Sequence, residues 1–196
     1  PPCQKVLRRF ADGWTHFLFV GRLSPNKRQD DVIRLFACYN RTIDRRSRLV
    51  LVGTWRGMER YLAELRALVR ALDLQDYVVF TGHLAAPELG AHYRRADLFV
   101  SMSEHEGFCV PILEAMHFGL PILAYNAAAV PDTLGQTGVL FTRKEFPLLA
   151  EMAHLLLTDH GLRERVVLGQ ADRLADFRPA IVAQRFRAYV DELIAA

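Results

Sequence analysis

The sequence contains no apolar run approaching 18 residues, which excludes a candidate membrane-spanning helix. Its three cysteines, Cys3, Cys38 and Cys109, are far apart and form no CxxC pair. A disulfide framework or a structural zinc site is thereby excluded as the organising device, and a reducing compartment fits best. Repeats and low-complexity linkers are missing. So are a helix-turn-helix signature, a zinc finger and an aromatic-basic RNA motif, and no nucleic-acid partner is expected. Neither Gly-x-Gly-x-x-Gly nor Gly-x4-Gly-Lys-Ser/Thr occurs, which argues against a nicotinamide dehydrogenase and a P-loop nucleotidase. There is no Asp-x-Asp pair, and the seven histidines lack metal-ligand spacing, so neither a metal nor a cofactor is expected. The opening residues Pro1-Pro2-Cys3-Gln4-Lys5 include no initiator Met and do not read as a signal peptide; a fragment or a processed chain is expected.

What is present is globular: 196 residues, 51% of them apolar and 24% charged, enough for one domain with a helical appendage. The charge is unevenly spread. Residues 1–50 carry eleven Lys/Arg against four Asp/Glu, whereas the remainder carries fourteen against eighteen. Such a basic quarter suits nucleic acid, an anionic membrane surface or a small anionic ligand, while Arg41, Arg45, Arg46 and Arg48 also read simply as a solvated helix end.

Short apolar runs recur along the chain: Phe17–Val20, Leu49–Val52, Tyr77–Phe80, Leu98–Val100, Pro121–Ala124 and Val139–Phe141. They are apolar on both faces and mostly rich in β-branched or aromatic residues, as buried parallel strands are. Between them, Val32, Leu35, Phe36, Tyr39 and Ile43 share one helical face. Met58, Tyr61/Leu62, Leu65, Leu68/Val69 and Leu72 share another. The order predicts an α/β fold, Rossmann-like and doubly wound, with a mainly parallel six-stranded sheet. After Phe141 the strands stop. A helix is expected around Leu148–Leu156, another around Leu162–Gly169, and a last one after Pro179, so the chain ends in a helical tail.

In such sheets ligands bind beyond the carboxyl ends of the strands. The first run ends in Gly21-Arg22-Leu23-Ser24-Pro25-Asn26-Lys27-Arg28. Gly21 permits a tight turn, and two cations beside a helix start suit a phosphate or diphosphate; an ordinary solvated loop reads as well. The fourth run leads through Glu106-Gly107-Phe108-Cys109-Val110 into a helix carrying Glu114. Unpaired amides at Gly107, Phe108, Cys109 and Val110 attract an anion, and a carboxylate on the same rim accepts from hydroxyls. Glu106 also reads as a helix-start carboxylate that stabilises the dipole. Glu114, flanked by Leu113 and Met116, needs a partner.

Glu106 through Glu114, followed by Ala115-Met116-His117-Phe118-Gly119-Leu120-Pro121, resembles the Glu-x7-Glu signature of retaining glycosyltransferase family 4, the group 1 glycosyltransferases. Val20-Gly21-Arg22 with Lys27 is similar to that family's phosphate loop, and Leu51-Val52-Gly53 and Val79-Phe80-Thr81-Gly82 to its next two strand ends. The resemblance spans roughly residues 16–190 in the right order. It implies the C-terminal, donor-binding half of a two-domain fold of glycosyltransferase-B type. Residues 1–15 are then an interdomain linker, 16–145 the Rossmann-like core and 146–196 the helical tail. The implied partners are a nucleotide-sugar donor, which is substrate and not cofactor, and an N-terminal acceptor domain of the same protein. By the same resemblance Gly21, Arg22 and Lys27 hold the donor diphosphate, and Glu114 the ribose. Glu106 and the amides of Gly107 to Val110 face the transferred sugar and distal phosphate, and the backbone at His83 and Leu84 touches the base. Arg22, Lys27 and Glu106 form the catalytic set. His105, at the mouth, is a further candidate for donor contact. The implied location is the cytoplasm, with peripheral association of the full-length enzyme at the inner face of the membrane.

The sequence departs from the family pattern in four places. Arg28 follows the phosphate-loop Lys in place of Gly, adding a cation or capping the loop. Cys109 replaces the second Gly of the Glu-Gly-Phe-Gly turn, which puts a positive-φ backbone there in question. Ala128-Ala129-Val130-Pro131-Asp132 stands for Gly-Gly-x-Pro-Glu. Thr54-Trp55-Arg56-Gly57 replaces an acidic Gly-Pro turn, with Trp55 either near the donor or covering a helix start. Two rival readings stay open: a nucleotide-sugar epimerase or hydrolase of the same fold, and a non-catalytic nucleotide-sugar-binding module.

Overall fold

Each apolar run becomes a strand in the computed structural model, which describes residues 3–195; the four central strands are buried and the two edge strands part-buried. The strands are β1 (Thr15–Val20), β2 (Ser47–Val52), β3 (Val78–Gly82), β4 (Leu98–Ser101), β5 (Ile122–Tyr125) and β6 (Val139–Phe141). They form one sheet in the order β3-β2-β1-β4-β5-β6, with every pair parallel. The helices are α1 (Gln4–Arg9), α2 (Gln29–Thr42), α3 (Glu59–Ala71), α4 (Ala86–Arg95), α5 (Val110–His117), α6 (Val130–Leu134), α7 (Phe146–Thr158), α8 (His160–Ala175) and α9 (Pro179–Ala195).

Successive strand side chains point to opposite faces, so the runs feed two cores. Phe17, Phe19, Leu49, Leu51, Leu98 and Val100 pack with Val32, Phe36, Leu65 and Leu149, from α2, α3 and α7. Leu18, Val50, Phe99 and Ile122 pack with Tyr93, Ile112 and Leu134, from α4, α5 and α6. Both faces are covered, which is why the strands read as continuous apolar runs instead of alternating ones.

Four features go beyond the sequence reading. Within residues 1–15 the chain forms α1, which packs on α4 and delivers Phe10 to the second core. The short helix α6 lies between β5 and β6; its five residues are too few for a helical period to show. The tail is helical but not uniform. Leu149, Ala150, Ala153 and Leu156 of α7 are buried against α2, so α7 is a core layer, while α9 leaves Phe186 and Tyr189 each 67% exposed. The last feature is Gln170 of α8, fully buried. It donates from Nε2 to the Leu120 carbonyl at 2.6 Å and accepts from the Ile122 amide at 3.2 Å, closing the start of β5.

The arginines at and after the end of α2 lie at the amino end of the sheet. Arg41 donates to the Leu72 carbonyl, Arg45 lies over Tyr77, and Arg48 pairs with Asp12 under Trp14. Among the described residues no helix is long and apolar enough to cross a membrane.

Candidate functional site

The strand order reverses between β1 and β4. The chain winds outward from β1 to β3, then returns to the other side of β1 to form β4, and the loops leaving these two strands turn apart. The crevice between such loops is where open α/β sheets take ligands. Here it is flanked by residues 21–28 on one side and 102–109 on the other.

The two loops are stitched together. The Glu104 amide donates to the Asn26 carbonyl at 2.9 Å, and Asn26 Nδ2 and Lys27 Nζ both donate to the His105 carbonyl, at 3.4 and 3.3 Å. Lys27 Nζ lies 2.6 Å from Glu106 Oε2, with the side chains only 19% and 12% exposed. Of His105, then, it is the carbonyl that serves the loop; its side chain is exposed.

Gly21 continues the β1–β2 ladder, its amide donating to the Val52 carbonyl at 2.9 Å. Arg22 is exposed; its guanidinium donates to the Arg56 carbonyl at 3.2 Å, and its own carbonyl accepts from the fully buried Gln29 amide at 2.9 Å. Across the crevice, the amides of Gly107, Phe108, Cys109 and Val110 donate to no protein acceptor among the described residues. Val110 opens α5 and Pro111 follows without an N–H, so these four amides are the donors that the α5 entrance presents. Phe108 is held from behind, its carbonyl accepting from Thr133 Oγ1 and its ring edge-on to Phe177.

Glu114 has the partner its apolar surroundings require: Tyr93 OH donates to Oε2 at 2.7 Å. Burial, reinforced by this bond to a carboxylate, pushes the Tyr93 hydroxyl well above its ordinary range, so it stays a donor. Nothing in the spacing of residues 93 and 114 signals the pair. His83 and Leu84 follow β3, two strands from β1 and therefore roughly 10 Å away. His83 is exposed and Leu84 packs at the edge of the second core, and neither makes a hydrogen bond or ion pair with the loops around the crevice. Trp55 covers this edge of the sheet: a Cβ on Gly82 would lie 3.2 Å from its ring.

Arg28 is an anchor and not a free cation. It pairs with Glu104 at 2.7 Å, Asp31 at 2.9 Å and Asp30 at 3.0 Å, while Lys144 pairs with the same Asp31 at 2.9 Å and Glu104 at 2.7 Å. Glu104–Arg28–Asp31–Lys144 thus forms a closed ring of alternating charge, drawn from three segments: the start of α2, the β4 loop and the stretch before α7. Hydrogen bonding to Lys144, with Arg28 beside it, holds the Glu104 carboxyl below its usual range. Asp31, Glu104 and Lys144 escape a sequence reading because 113 residues separate Lys144 from Asp31. The ring fixes the two loops so that Lys27 and Glu106 meet.

Among the described residues four other than glycine have positive φ, and three are the replacements noted in the family pattern: Arg28 (51°), Cys109 (64°) and Ala128 (49°). The doubt over a positive φ at residue 109 is corrected: the left-handed turn persists without its glycine. A side chain there costs about 1–2 kcal/mol, and the surrounding fold holds it. Burial first, then the Glu106 charge, pushes the Cys109 thiol up to about 12, so it stays protonated and unreactive. Ala128 is exposed, so Ala128→Gly is expected to stabilise the protein by about 0.5–1 kcal/mol, the relieved strain less the entropy the unfolded chain regains. Urea unfolding checks this; a loss of stability would mean that the turn is not strained.

A cleft of about 590 Å³ lies alongside, lined by Asn26, Arg28, Asp30, Arg34, Tyr61 and Glu104 among others, and contains none of Arg22, Lys27, Glu106 or Glu114. Arg22, Lys27 and Glu106 lie instead on the two loops that flank the crevice, and Glu114 on α5 behind the second of them.

This architecture is a Rossmann-like fold of the kind found in glycosyltransferases of B type. Similar solved structures include HepE of Anabaena in complex with UDP and glucose, with a TM-score of 0.79 and 24% identity, covering 96% of this chain and 52% of that one. The C-terminal domain of the group 1 glycosyl transferase LpcC from Francisella tularensis has a TM-score of 0.72 at 24% identity, covering 90% and 94%. The model of the family described as glycosyl transferases group 1 matches residues 8–171, and the chain belongs to that family. Among relatives, a GDP-mannose-dependent alpha-(1-6)-phosphatidylinositol monomannoside mannosyltransferase of Mycobacterium tuberculosis is 32% identical over 164 residues, 79% of this chain and 40% of the relative. The O-antigen chain mannosyltransferase B of Escherichia coli is 28% identical over 165 residues, 83% and 42%. The chain therefore spans about two-fifths of the length of these relatives.

Proposed function

We propose that this chain is the donor-binding half of a retaining glycosyltransferase of family 4, moving a hexose from a nucleoside diphosphate sugar to a hydroxyl acceptor. The observation that carries the reading is the pairing of opposite chemistries across one crevice. Arg22 and Lys27 stand on the β1 loop, and Glu106 with the free amides of Gly107 to Val110 on the β4 loop. Cations and helix-start amides take a diphosphate, and carboxylates take sugar hydroxyls. The mannosyltransferase relatives and the UDP-bound HepE support a nucleotide sugar as ligand.

The chemistry assigned to these residues is electrostatic. As the glycosidic bond breaks, negative charge grows on the leaving diphosphate, and Arg22, Lys27 and the α5 amides are placed to stabilise it without a metal. Glu106 is engaged by Lys27 and Glu114 by Tyr93, so neither is arranged as a displacement nucleophile. The ribose falls to Glu114, whose second oxygen is left for a hydroxyl, and the base to the backbone at His83 and Leu84. The acceptor belongs to an N-terminal domain. The uncovered apolar side chains of α9 support such a neighbour, and the isolated chain is expected to transfer no sugar. Three unpaired cysteines suit a cytoplasmic enzyme.

Calorimetric titration with UDP and GDP, with and without a chelator, tests the reading. Binding that survives the chelator is expected. Arg22→Ala should weaken it by about 1.5–3 kcal/mol while leaving the melting temperature unchanged, and Glu114→Gln should weaken nucleotide and nucleotide sugar alike. Variants that bind like the parent would show the assignment to be wrong.

A further inference from the structure

We infer that Glu106, by holding Lys27, makes this site favour a sugar-bearing nucleotide over the bare nucleoside diphosphate. The inference rests on the donor-site reading above and concerns a competition within it. The Lys27 ammonium has three N–H donors; one goes to Glu106 Oε2 at 2.6 Å and another to the His105 carbonyl at 3.3 Å. A diphosphate that engages Lys27 competes with Glu106 for the charge of one ammonium, whether it takes the third donor or the one that Glu106 holds. Glu106 then gives up part of its cation while largely buried, which is costly.

The cost depends on what else the ligand brings. A bare nucleoside diphosphate has no hydroxyl at its distal phosphate to offer Glu106. A nucleotide sugar places hydroxyl donors there, so the carboxylate exchanges one partner for another as the phosphates take Lys27. The exchange is balanced for the donor and unbalanced for the diphosphate left after transfer. The result is selective retention of donor over product, from one ion pair and no moving part.

The other carboxylates near the crevice cannot act this way. Glu114 is held by a neutral hydroxyl, and Asp31 and Glu104 are each bound by two cations of the ring. Glu106 alone among them shares a cation assigned to the diphosphate.

The test is a double-mutant cycle, followed by NMR titration to millimolar ligand so that weak binding is still read. The parent, Glu106→Gln, Lys27→Met and the double variant are each titrated with UDP, GDP, UDP-glucose and GDP-mannose, after circular dichroism shows that all four are folded. Glu106→Gln should tighten the bare nucleotide about tenfold, the worth of one charge-assisted bond. The same change should cut the preference for the sugar conjugate by at least that factor. In the Lys27→Met background, Glu106→Gln should gain nothing. An unchanged nucleotide affinity in Glu106→Gln overturns the inference and leaves the donor site standing. A gain that persists without Lys27 also overturns it, because simple repulsion between Glu106 and the phosphates would then explain the gain. If the parent binds neither nucleotide nor conjugate, the donor-site reading falls and this inference with it.

Discussion

Gly53→Ala is expected to destabilise the protein by more than about 4 kcal/mol or to prevent folding, an effect outside the usual range for one methyl group. A Cβ at residue 53 would lie 1.8 Å from the Gly21 carbonyl oxygen and 2.6 Å from its carbon. The obstacle is backbone, so no rotamer change relieves it. The backbone concerned carries Gly21 and Arg22 between β1 and α2, while the Gly53 amide is itself bonded to the Gly82 carbonyl at 3.0 Å. Three strand ends would have to part to admit the methyl group. Any fraction that folds should have lost nucleotide binding, since Arg22 moves with Gly21. Gly107→Ala is the control: nothing lies within 4 Å of its Cβ, and its stability should match that of the parent. Urea unfolding of both variants decides the matter, and a Gly53→Ala protein within about 1 kcal/mol of the parent would show that the loops yield easily.

Acid should destabilise the fold through His92. This side chain is 6% exposed, edge-on to Phe10 at 5.0 Å, and burial pushes its pKa down to about 4 against the opposing pull of Glu88. Arg9 and His16 push in the same direction as burial, and His16 is itself lowered, chiefly by burial. Above pH 6.5 His92 is neutral in both folded and unfolded chains and the pH has no hold on it. As the pH falls below 6.5 the unfolded chain takes up a proton that the folded protein refuses until about pH 4. Stability is therefore lost across that interval, by roughly 3 kcal/mol for His92. Urea unfolding between pH 7.5 and 4.5 should show a steep decline in the parent and a shallower one in His92→Gln. Equal slopes would mean that His92 is not what the acid titrates.

The sequence made some elements plain and hid others for physical reasons. Strand cores such as Leu49–Val52 are legible because both faces are covered, leaving no polar residue to interrupt them. α2 and α3 are legible because their buried faces repeat over several turns. α6 is too short to show a period, and α7 looked like an appendage because its apolar face does not reveal that α2 is what covers it. At the site, Arg22, Lys27, Glu106 and Glu114 stood out by their places in short motifs beside strand ends. Tyr93, Glu104 and Lys144 did not, because each acts on a residue brought near only by the winding of the sheet; Gln29 and Asp31 act on Arg22 and Arg28 close by in the chain, through the turn between β1 and α2.

Local order along the chain was enough to establish a parallel α/β sheet, the loops that carry its chemistry and the membership of group 1 glycosyl transferases. Apolar periodicity and turn residues act between neighbours in sequence, and both survive in a bare string of letters. Tertiary structure alone decided which charges meet. Lys27 and Glu106 lie far apart in the chain and form one ion pair because β1 and β4 are adjacent at the point where the strand order reverses. Arg28, which reads as a spare cation, is bound by Asp31 three residues on and, for the same reason as Lys27, by Glu104 from the β4 loop. Through-space attraction depends on distance between side chains, and only the fold sets that distance.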